Sequence, residues 1–449
     1  MIYVSDIINI CQGKLINGNE KIKCVSFTKD TRSLEKGDVY VAIKGETFDG
    51  NAFYKEAIKK GASVCIIDNE KVLDGDYGSA AILLVDDSIK AIQELAKYKR
   101  SLYDIPVIAV TGSVGKTSVK DMVNHVVSSK YKTLCTKGNM NNHIGVPLTI
   151  LGLEDHEALI VEMGMNHAGE IHVLSNIAKP TMAIITNIGT AHIGNLGSRE
   201  NILKAKMEIT DGMNNGTLFI NNDNDMLRTV KYNSLITIGI NNKSDYNAHD
   251  IHDKVFSANF YINDKYVSIP VGSMAFVYNS LFAYAVGKKL GIDDEAIVKA
   301  LESFKLTPHR LELIEHKDYT IIDDTYNASL DSVNNALSML SKLKTRKVFI
   351  FGDILELDNY AKDIHTEIGK SVIDNKIDVL ITVGENAYYT YSVAYDNGIE
   401  SYHYDNNDEM LKEIDKIIDI GDTILVKGSH GMNLTYVVEH LKNFKVNNE

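Results

Sequence analysis

The sequence predicts an α/β protein of three domains: a small mixed α/β unit, a central unit with a mostly parallel sheet, and a doubly wound, Rossmann-like unit. The chain has 449 residues, which is about three domains at roughly 150 residues each. Short apolar runs such as IPVIAV, ALIVEM and MAIITNI alternate with helical segments, as in parallel sheets covered by helices. The same alternation restarts after Arg310. We therefore predict domains at 1–103, 104–309 and 310–449.

The elements follow in this order. DVYVAIKG and SVCIID are predicted strands of the first unit, with helices at AFYKEAIKKGA and SIKAIQELAKYKRSLYD. IPVIAV is apolar throughout, which is typical of a strand buried on both faces. VFSANFYINDKYVSIPV alternates around Asn263-Asp264 and predicts an antiparallel hairpin. The third unit has predicted strands at TIIDDTY, KVFIFGD, DVLITVG and TILVKGS, and ligand contacts are expected at their carboxyl ends.

Composition and charge exclude several classes of protein. With 47 Lys+Arg and 60 Asp+Glu the net charge is −13, which argues against sequence-independent nucleic-acid binding. Four scattered cysteines without a CxxC motif fit reduced thiols in the cytoplasm. The N-terminus has no basic segment or cleavage motif of a signal peptide. The uncharged run 266–287 is interrupted by Pro270, Gly272 and Asn279, so we expect a strand and a buried helix there rather than a membrane span.

A phosphate-binding loop (P-loop) is the strongest chemical signal in the sequence. It follows the strand IPVIAV and opens a helix, and its residues are Thr111, Gly112, Ser113, Val114, Gly115, Lys116, Thr117 and Ser118. Glycines let successive N–H groups converge on phosphate oxygens, the lysine reaches the β- and γ-phosphates, and the threonine hydroxyl ligates Mg²⁺. Val110 stands where the strict motif has glycine, so the loop is a variant. A glycine turn with an exposed lysine is the alternative.

A carboxylate at a strand end predicts a metal site beside this loop, and a histidine follows the next strand. Glu162 ends the apolar run ALIV, and His192 follows the run MAIITNI. Mg²⁺ in proteins is held by few carboxylates together with phosphate oxygens and water. A solvated carboxylate and a structural histidine are the alternatives. The chain lacks the guanine-reading NKxD motif, which argues against a GTP-dependent switch.

Taken together, these motifs and others resemble the Mur ligase family, the ATP-dependent amino-acid ligases of peptidoglycan precursor synthesis. The stretches that carry the resemblance occur in family order over nearly the whole chain: SFTKDTRSLEKGDVYVAIKGETFDG, VIAVTGSVGKTSVKDM, TKGNMNNHIGVPLT, VEMGMNHAGEI, TNIGTAHIGNLGSRENILKAKMEI, TPHRLELI, IIDDTYNASLDSV, FGDILELD and LVKGSHGMNL. The family uses the form TGxxGKT, which accounts for Val110.

The resemblance implies an amide ligase that uses ATP and Mg²⁺. ATP phosphorylates the free carboxylate of UDP-N-acetylmuramoyl-tripeptide, and the amine of D-Ala-D-Ala attacks the resulting acyl phosphate. The third unit closes on ATP and the incoming dipeptide. The DNPR-type segment of relatives that add a diamino acid is absent, since Asp324–Ala328 reads DTYNA, which favours addition of the dipeptide. A monomer without nucleic-acid partners is expected.

The resemblance also implies roles for individual residues. Thr117 and Glu162 hold one Mg²⁺, while His192 and a carbamylated Lys206 flank a second, with Lys204 as a competing position. The catalytic set is Lys116, His192, Lys206 and Arg310. The adenine, γ-phosphate and ribose contacts fall to Asn279, Arg310 and Asp324. Substrate contacts fall to Thr31, Arg32 and Lys44 for the uridine diphosphate, to Asn139, Asn141 and Asn142, and to Asn327 and Lys427 in the third unit.

Two other functions stay open at this point. A related ligase could join an amino acid to a different carboxylate, such as a folate or a lipid-linked precursor, although the Asp30-Thr31-Arg32 segment argues against a folate. A nucleotide-binding regulatory subunit without catalysis is the second alternative. The presence of Lys116, Glu162 and Lys206 argues against it.

Overall fold

The structure is a computed structural model that describes residues 1–45, 48–444 and 446. It contains four β-sheets with helices packed around them, and most strand pairs in the three larger sheets are parallel. The predicted α/β class is therefore confirmed. In this part of the chain, every helix is too short or too polar to cross a bilayer.

The first unit has a five-stranded sheet in the order β2-β7-β6-β5-β4 and a two-stranded sheet of β1 and β3. The edge pair β2–β7 is antiparallel, whereas the inner pairs are parallel. Its strands are β1 Ile2–Tyr3, β2 Lys14–Asn17, β3 Lys23–Cys24, β4 Phe27–Thr28, β5 Val39–Val41, β6 Val64–Ile67 and β7 Ala81–Leu84, and its helices are α1 Val4–Cys11, α2 Tyr54–Lys59 and α3 Ser88–Ser101.

The central unit has nine strands in the order β16-β15-β14-β13-β12-β11-β8-β10-β9. The strands are β8 Val107–Thr111, β9 Thr133–Cys135, β10 Ala158–Glu162, β11 Met182–Ile185, β12 Thr217–Asn221, β13 Leu235–Gly239, β14 Tyr246–Lys254, β15 Ser257–Ile262 and β16 Lys265–Ile269. The helices are α4 Lys116–Val127, α5 Gly145–Leu151, α6 Glu170–Ala178, α7 Ile193–Leu196, α8 Arg199–Met207, α9 Met274–Lys289 and α10 Asp294–Glu302.

The predicted hairpin is confirmed, but it belongs to a three-stranded antiparallel extension. β15 pairs with β16 across Asn263-Asp264, and β14 pairs with β15 on the other side. β14 is polar (YNAHDIHDK) and half exposed at the sheet surface, so it lacks the apolar run that marks a buried strand. The uncharged run 266–287 is divided between β16 and the buried helix α9, as expected.

The third unit has six strands in the order β17-β18-β22-β19-β20-β21. Its strands are β17 Glu312–Glu315, β18 Thr320–Asp324, β19 Lys347–Gly352, β20 Val379–Val383, β21 Glu400–Tyr404 and β22 Thr423–Lys427, and its helices are α11 Leu330–Leu340, α12 Ala361–Asp374, α13 Ala387–Asp396, α14 Asn407–Glu413 and α15 Thr435–Asn443. β17 is antiparallel to β18, and the other pairs are parallel. The four predicted strands of this unit are confirmed.

The strand order places a crevice at the end of β8. This strand pairs in parallel with β10 on one side and with β11 on the other, so the connections leave β8 toward both edges of the sheet. Ligands of open α/β sheets bind at such a switch point, outside the carboxyl ends of the strands. The loop after β8 is therefore the expected position for a bound nucleotide.

Residues 104 and 309 lie in the connections between the three sheets, and the independence of the three parts as domains stays a prediction. Helix α3 packs on α5 and α6 of the central unit. At its end, Arg100 is buried and donates from Nε to the carbonyl of Ala178 at 2.8 Å. The connection to the third unit has positive φ at His309 (64°) and Leu311 (51°), a conformation that is strained for a bulky side chain.

The four cysteines are free thiols. Burial raises the pKa of each of them, Cys11, Cys24, Cys65 and Cys135, to about 12. Because the thiolate is the reactive form, these side chains act as small apolar groups in the packing.

Helix α9 is largely buried and packs on α4 in the central unit. Leu281 is fully buried where α9 packs on α4, so Leu281→Ala should leave a cavity and lower the free energy of unfolding of the central unit by about 2–5 kcal/mol. Urea unfolding monitored by circular dichroism measures this loss. Met274→Ala on the same helix is the control, since Met274 is exposed. Equal losses in the two variants would show that α9 is not a core helix.

Candidate active site

The P-loop joins β8 to α4 at the carboxyl edge of the central sheet. Gly115, with φ of 81°, precedes the first helical residue, Lys116. The Lys116 ammonium donates to the carbonyls of Gly112 at 2.9 Å and Ser113 at 3.4 Å, so the side chain folds back over the loop. Burial lowers the pKa of Lys116, Glu162 opposes this shift and the nearby Arg310 adds to it. An anion at the loop would remove this electrostatic penalty.

Residues after β11 hold the first half of the loop. Asn187 accepts from the Ser113 N–H through its carbonyl at 3.1 Å and from the Val114 N–H through Oδ1 at 2.9 Å. The Thr186 hydroxyl donates to the Val114 carbonyl at 2.6 Å. A Cβ at Gly112, whose φ is 152°, would collide with Thr186 Oγ1. The tight approach of these two strand ends therefore requires glycine at position 112.

The remaining predicted loop residues divide between the strand and the helix. Thr111 is fully buried, and its hydroxyl donates to the Met163 carbonyl at 2.8 Å. Ser118 lies in the first turn of α4. The helix N-terminus, with its free N–H groups and partial positive charge, is the part of the loop suited to a phosphate.

Glu162 faces the P-loop from the end of the neighbouring strand β10. Its Oε2 accepts from the Thr117 hydroxyl and its Oε1 accepts from Asn141 Nδ2, both at 2.7 Å. Glu162 and Thr117 are buried, with 2% and 6% of their surface exposed. The structure therefore brings together the predicted carboxylate and hydroxyl ligands, and it adds Asn141 as the amide that orients the carboxylate.

His192 and Lys206 lie on the opposite side of the loop. Burial, together with Lys116, Lys206 and His167, lowers the pKa of His192 to about 3, so the imidazole is neutral, which is the form that binds metals. Its Nδ1 is buried without a hydrogen-bond partner among the described residues. Lys206 is 1% exposed, and burial with the nearby Lys116 lowers its pKa well below the usual range. Lys204, the competing position, is exposed.

Asn279 and Arg310 approach the loop from two other segments. Asn279 is buried on α9, and a Cβ at Gly115 would lie 3.8 Å from its Oδ1. Arg310, in the connection to the third unit, places its guanidinium carbon 3.7 Å from the centre of the Tyr326 ring. Its Nε is buried and lacks a partner in the described part of the chain, so the group retains capacity to bind an anion.

The third unit contributes an ion pair. Lys427 Nζ donates to Asp324 Oδ2 at 2.6 Å and to the Asn327 carbonyl at 3.0 Å. Asp324 Oδ1 accepts from the Leu311 N–H at 3.2 Å. Burial raises the pKa of Asp324, and Lys427 opposes the rise. The three predicted residues Asp324, Asn327 and Lys427 therefore form one group at the carboxyl ends of β18 and β22.

The other predicted substrate contacts occupy separate places. Asn139 is exposed, and its carbonyl accepts from the Asn141 N–H at 2.7 Å. Asn142 Oδ1 accepts from the N–H groups of Ile144 at 3.1 Å and Gly145 at 2.9 Å. This side-chain oxygen thus stabilises the start of α5, which is the structural role of Asx residues at helix N-termini.

Thr31, Arg32 and Lys44 lie in the first unit, and no hydrogen bond or ion pair joins them to the P-loop within the described ranges 1–45, 48–444 and 446. Arg32 is exposed and pairs with Asp30 at 2.7 Å, and this contact lowers the pKa of Asp30 to about 2. The Thr31 carbonyl accepts from Lys60 at 2.8 Å. The backbone of Lys44 forms an isolated antiparallel β-bridge with that of Asp49.

His309, Glu312 and Asp323 bring three potential metal-binding atoms together at the connection between the units. Asp323 accepts from His309 Nδ1 at 2.7 Å through Oδ2 and from the Thr325 hydroxyl at 2.6 Å through Oδ1. Glu312 accepts from the His309 N–H at 3.0 Å. Since these contacts already satisfy the carboxylates, we interpret the group as a set of hydrogen bonds that stabilises the connection.

Sequence reasoning missed Thr186 and Asn187 as supports of the loop, and Asp331 and Glu356 as residues that face it from the third unit. Asp331 packs against Gly189, and Glu356 Oε2 lies 3.5 Å from His192 Nδ1. The signal for the first pair was present, because polar residues directly after a buried parallel strand lie at the ligand edge of the sheet. The second pair depends on how the units pack, for which the sequence has no local signal.

Most of the chain matches models of a known protein family. Three family models match consecutive parts of the chain: "Mur ligase family, catalytic domain" over residues 26–100, "Mur ligase middle domain" over 110–287 and "Mur ligase, glutamate ligase domain" over 309–430. The second match contains the P-loop, Glu162, His192 and Lys206. The third begins at the connection that carries Arg310.

Full-length relatives agree with the family models. The chain is 35% identical to the UDP-N-acetylmuramoyl-tripeptide–D-alanyl-D-alanine ligase of Bacillus subtilis, with 98% of each chain covered. It is similar in structure to MurF from Acinetobacter baumannii, with a TM-score of 0.88 and 30% identity over 98% of this chain and 99% of that one. MurF from Thermotoga maritima, solved with ADP, has a TM-score of 0.79 and 28% identity, covering 93% and 97% of the two chains. The chain therefore belongs to the Mur ligase family.

Proposed function

We propose that the chain joins D-Ala-D-Ala to UDP-N-acetylmuramoyl-tripeptide at the expense of ATP, in peptidoglycan precursor synthesis. The supporting observation is the coincidence of a full-length match to ligases of this name with a P-loop whose Lys116, Thr117 and Glu162 lie together. A regulatory subunit without catalysis has no need for this buried group of charges. A folate or lipid-linked carboxylate is a less suitable substrate, since the relatives named above act on a nucleotide-linked peptide.

The chemistry requires two anions to approach each other, the γ-phosphate of ATP and the terminal carboxylate of the tripeptide. At a separation of about 4 Å their repulsion is roughly 4 kcal/mol at an effective dielectric near 20. Lys116 on the P-loop and Arg310 on the connection lie close enough for Arg310 to lower the pKa of Lys116, and Arg310 Nε has no hydrogen-bond partner among the described residues. Both cations offset the repulsion and stabilise negative charge on the transferred phosphoryl group.

The residues fit magnesium. Thr117 and Glu162 offer hard oxygen ligands beside the phosphate loop, and the buried, neutral imidazole of His192 lies close to Lys116 of that loop. Mg²⁺ supplies neutralisation of phosphate charge during transfer. The chain itself holds the tripeptide carboxylate in place, excludes water from the acyl phosphate on closure, and presents the dipeptide amine from the third unit.

Lys206 can act as a ligand of a second metal ion only if its amine is modified. Burial lowers the pKa of Lys206 well below its usual range, which favours the neutral amine. A neutral amine attacks CO₂ and releases one proton to form a carbamate anion. The carbamate would present two oxygens beside His192 and reverse the sign of the local charge. Because Lys206 is buried and Lys204 is exposed, Lys206 is the better candidate for carbamylation.

We expect ATP hydrolysis to ADP and phosphate to require both the nucleotide-linked tripeptide and D-Ala-D-Ala. Mass spectrometry of the products, with tripeptides that end in lysine or diaminopimelate, identifies the ligated species. Lys116→Ala should lower kcat by about 10²–10³-fold, since it removes a preorganised donor to the transferred phosphoryl group. Lys299→Ala on the exposed face of α10 is the control. ATP turnover that is independent of both substrates would contradict the proposal.

Carbamylation of Lys206 has a spectroscopic test. Enzyme equilibrated with ¹³C-bicarbonate should show one carbamate carbon resonance in its NMR spectrum, because burial lowers the pKa of Lys206 and so favours the amine form that reacts with CO₂. The resonance should disappear in Lys206→Ala and persist in Lys204→Ala. A resonance that instead depends on Lys204, or no resonance in an active enzyme, would show that Lys206 acts as an unmodified lysine.

A further inference from the structure

Glu356 of the third unit faces His192 of the central unit. Its Oε2 lies 3.5 Å from His192 Nδ1, the atom that is buried and lacks a hydrogen-bond partner among the described residues. The histidine side chain is 19% exposed, whereas the glutamate is 62% exposed. The carboxylate therefore reaches from the solvent side into the edge of the active site, and the gap exceeds a hydrogen bond by about half an ångström.

The loop that carries Glu356 is held firmly at its base. The Ile354 N–H donates to His365 Nε2 at 3.1 Å, and the Leu355 N–H donates to Ser429 Oγ at 2.9 Å. The Ser429 N–H donates in turn to the Asp353 carbonyl at 3.1 Å. His365 is buried and fixed through Nδ1 to the Ala361 carbonyl at 2.8 Å. These contacts fix the backbone from which the Glu356 side chain projects.

Glu356 itself has a left-handed backbone, with φ of 63°. This conformation is unfavourable for a residue with a side chain and persists where the surrounding structure imposes it. Two residues later the same loop touches the central unit again, because a Cβ at Gly194 would lie 2.7 Å from Asp358 Oδ2. The strained turn thus lies at a point where the third unit and the segment of His192 approach closely.

The electrostatic surroundings favour an anion at this position. Lys116 acts on His192 as a positive charge, and His167 adds to it. Histidines that bind a metal through one ring nitrogen usually donate the other N–H to a carboxylate, which fixes the orientation and tautomer of the ring. With Glu356 facing Nδ1, the Nε2 atom is the one left for the active site.

We propose that Glu356 is a positioning residue that orients the imidazole of His192, so that the metal site on the Lys206 side of the P-loop depends on a side chain of the third unit. This inference rests on the function proposed above. Glu356 touches neither substrate in the proposed arrangement and acts through His192. It links the packing of the third unit against the central unit to the affinity of the metal site.

Binding of Mn²⁺ tests this coupling without reference to turnover. The full-length protein is loaded with a non-hydrolysable ATP analogue, and Mn²⁺ is titrated with detection by electron paramagnetic resonance. Glu356→Gln should weaken the binding of one Mn²⁺ by about 10-fold, the lower end of the effect of removing an outer-shell carboxylate. Glu356→Asp keeps the charge but shortens the reach, so it should show a similar loss. Glu367→Gln is the matched control, since this exposed glutamate of α12 pairs only locally with Lys370.

Kinetics and thermal unfolding of Glu356→Gln distinguish a positioning role of Glu356 from a role in protein stability. At saturating Mg²⁺ the Glu356→Gln enzyme should recover most of its kcat, with an unchanged KM for ATP and an unchanged thermal midpoint. In a His192→Ala background, Glu356→Gln should have no additional effect on Mn²⁺ binding, because the residue acts through the imidazole.

Wild-type Mn²⁺ affinity in Glu356→Gln, or an equal loss with and without His192, would overturn the proposal. Failure of the proposed function is recognised separately, as absence of ligated product in the wild-type enzyme, because the titration needs no substrate other than the nucleotide analogue.

Discussion

Parallel pairing of β8 with both β10 and β11 is the constraint on which the site depends. The pairing aligns the carboxyl ends of three buried strands, so that the P-loop, Glu162 and Asn187 emerge at one edge of the central sheet. Hydrogen bonds from Ser113 and Val114 to Asn187 then fix the loop from one side, and Thr117 contacts Glu162 on the other. Without this strand order these three segments would lie apart, and no phosphate-binding site would form.

The site concentrates positive charge that the protein alone does not neutralise. Lys116 adds to burial in lowering the pKa of Lys206, and Arg310 adds to burial in lowering the pKa of Lys116. Glu162 is the carboxylate that opposes the shift of Lys116. Burial of cations without matched anions is unfavourable, and bound phosphate and carboxylate groups remove this cost. Part of the binding energy for the substrates therefore comes from relieving an unfavourable feature of the free protein.

The connection between the second and third units places Arg310 in contact with the third unit. Leu311, with its strained backbone, donates to Asp324, which also accepts from Lys427. The Tyr326 ring supports Arg310 from the third unit, so a movement of that unit moves the guanidinium relative to the P-loop. Asp331 against Gly189 and Glu356 opposite His192 meet the central unit at its ligand edge. The connection and the third unit therefore place groups of both signs at this edge of the central sheet.

The amino-acid sequence by itself determined the α/β class, the strands at 107–111 and 320–324, the P-loop and the strand-end positions of Glu162 and His192, because apolar runs and polar strand ends are local patterns. It did not indicate the polar strand β14, whose side chains face solvent, or the capping role of Asn142, which depends on the start of α5. Only the tertiary structure decided that Lys206 rather than Lys204 is buried, that Asn187 holds the loop, and that Glu356 faces His192. These are contacts between segments up to 164 positions apart, and they arise from strand order and unit packing rather than from local sequence.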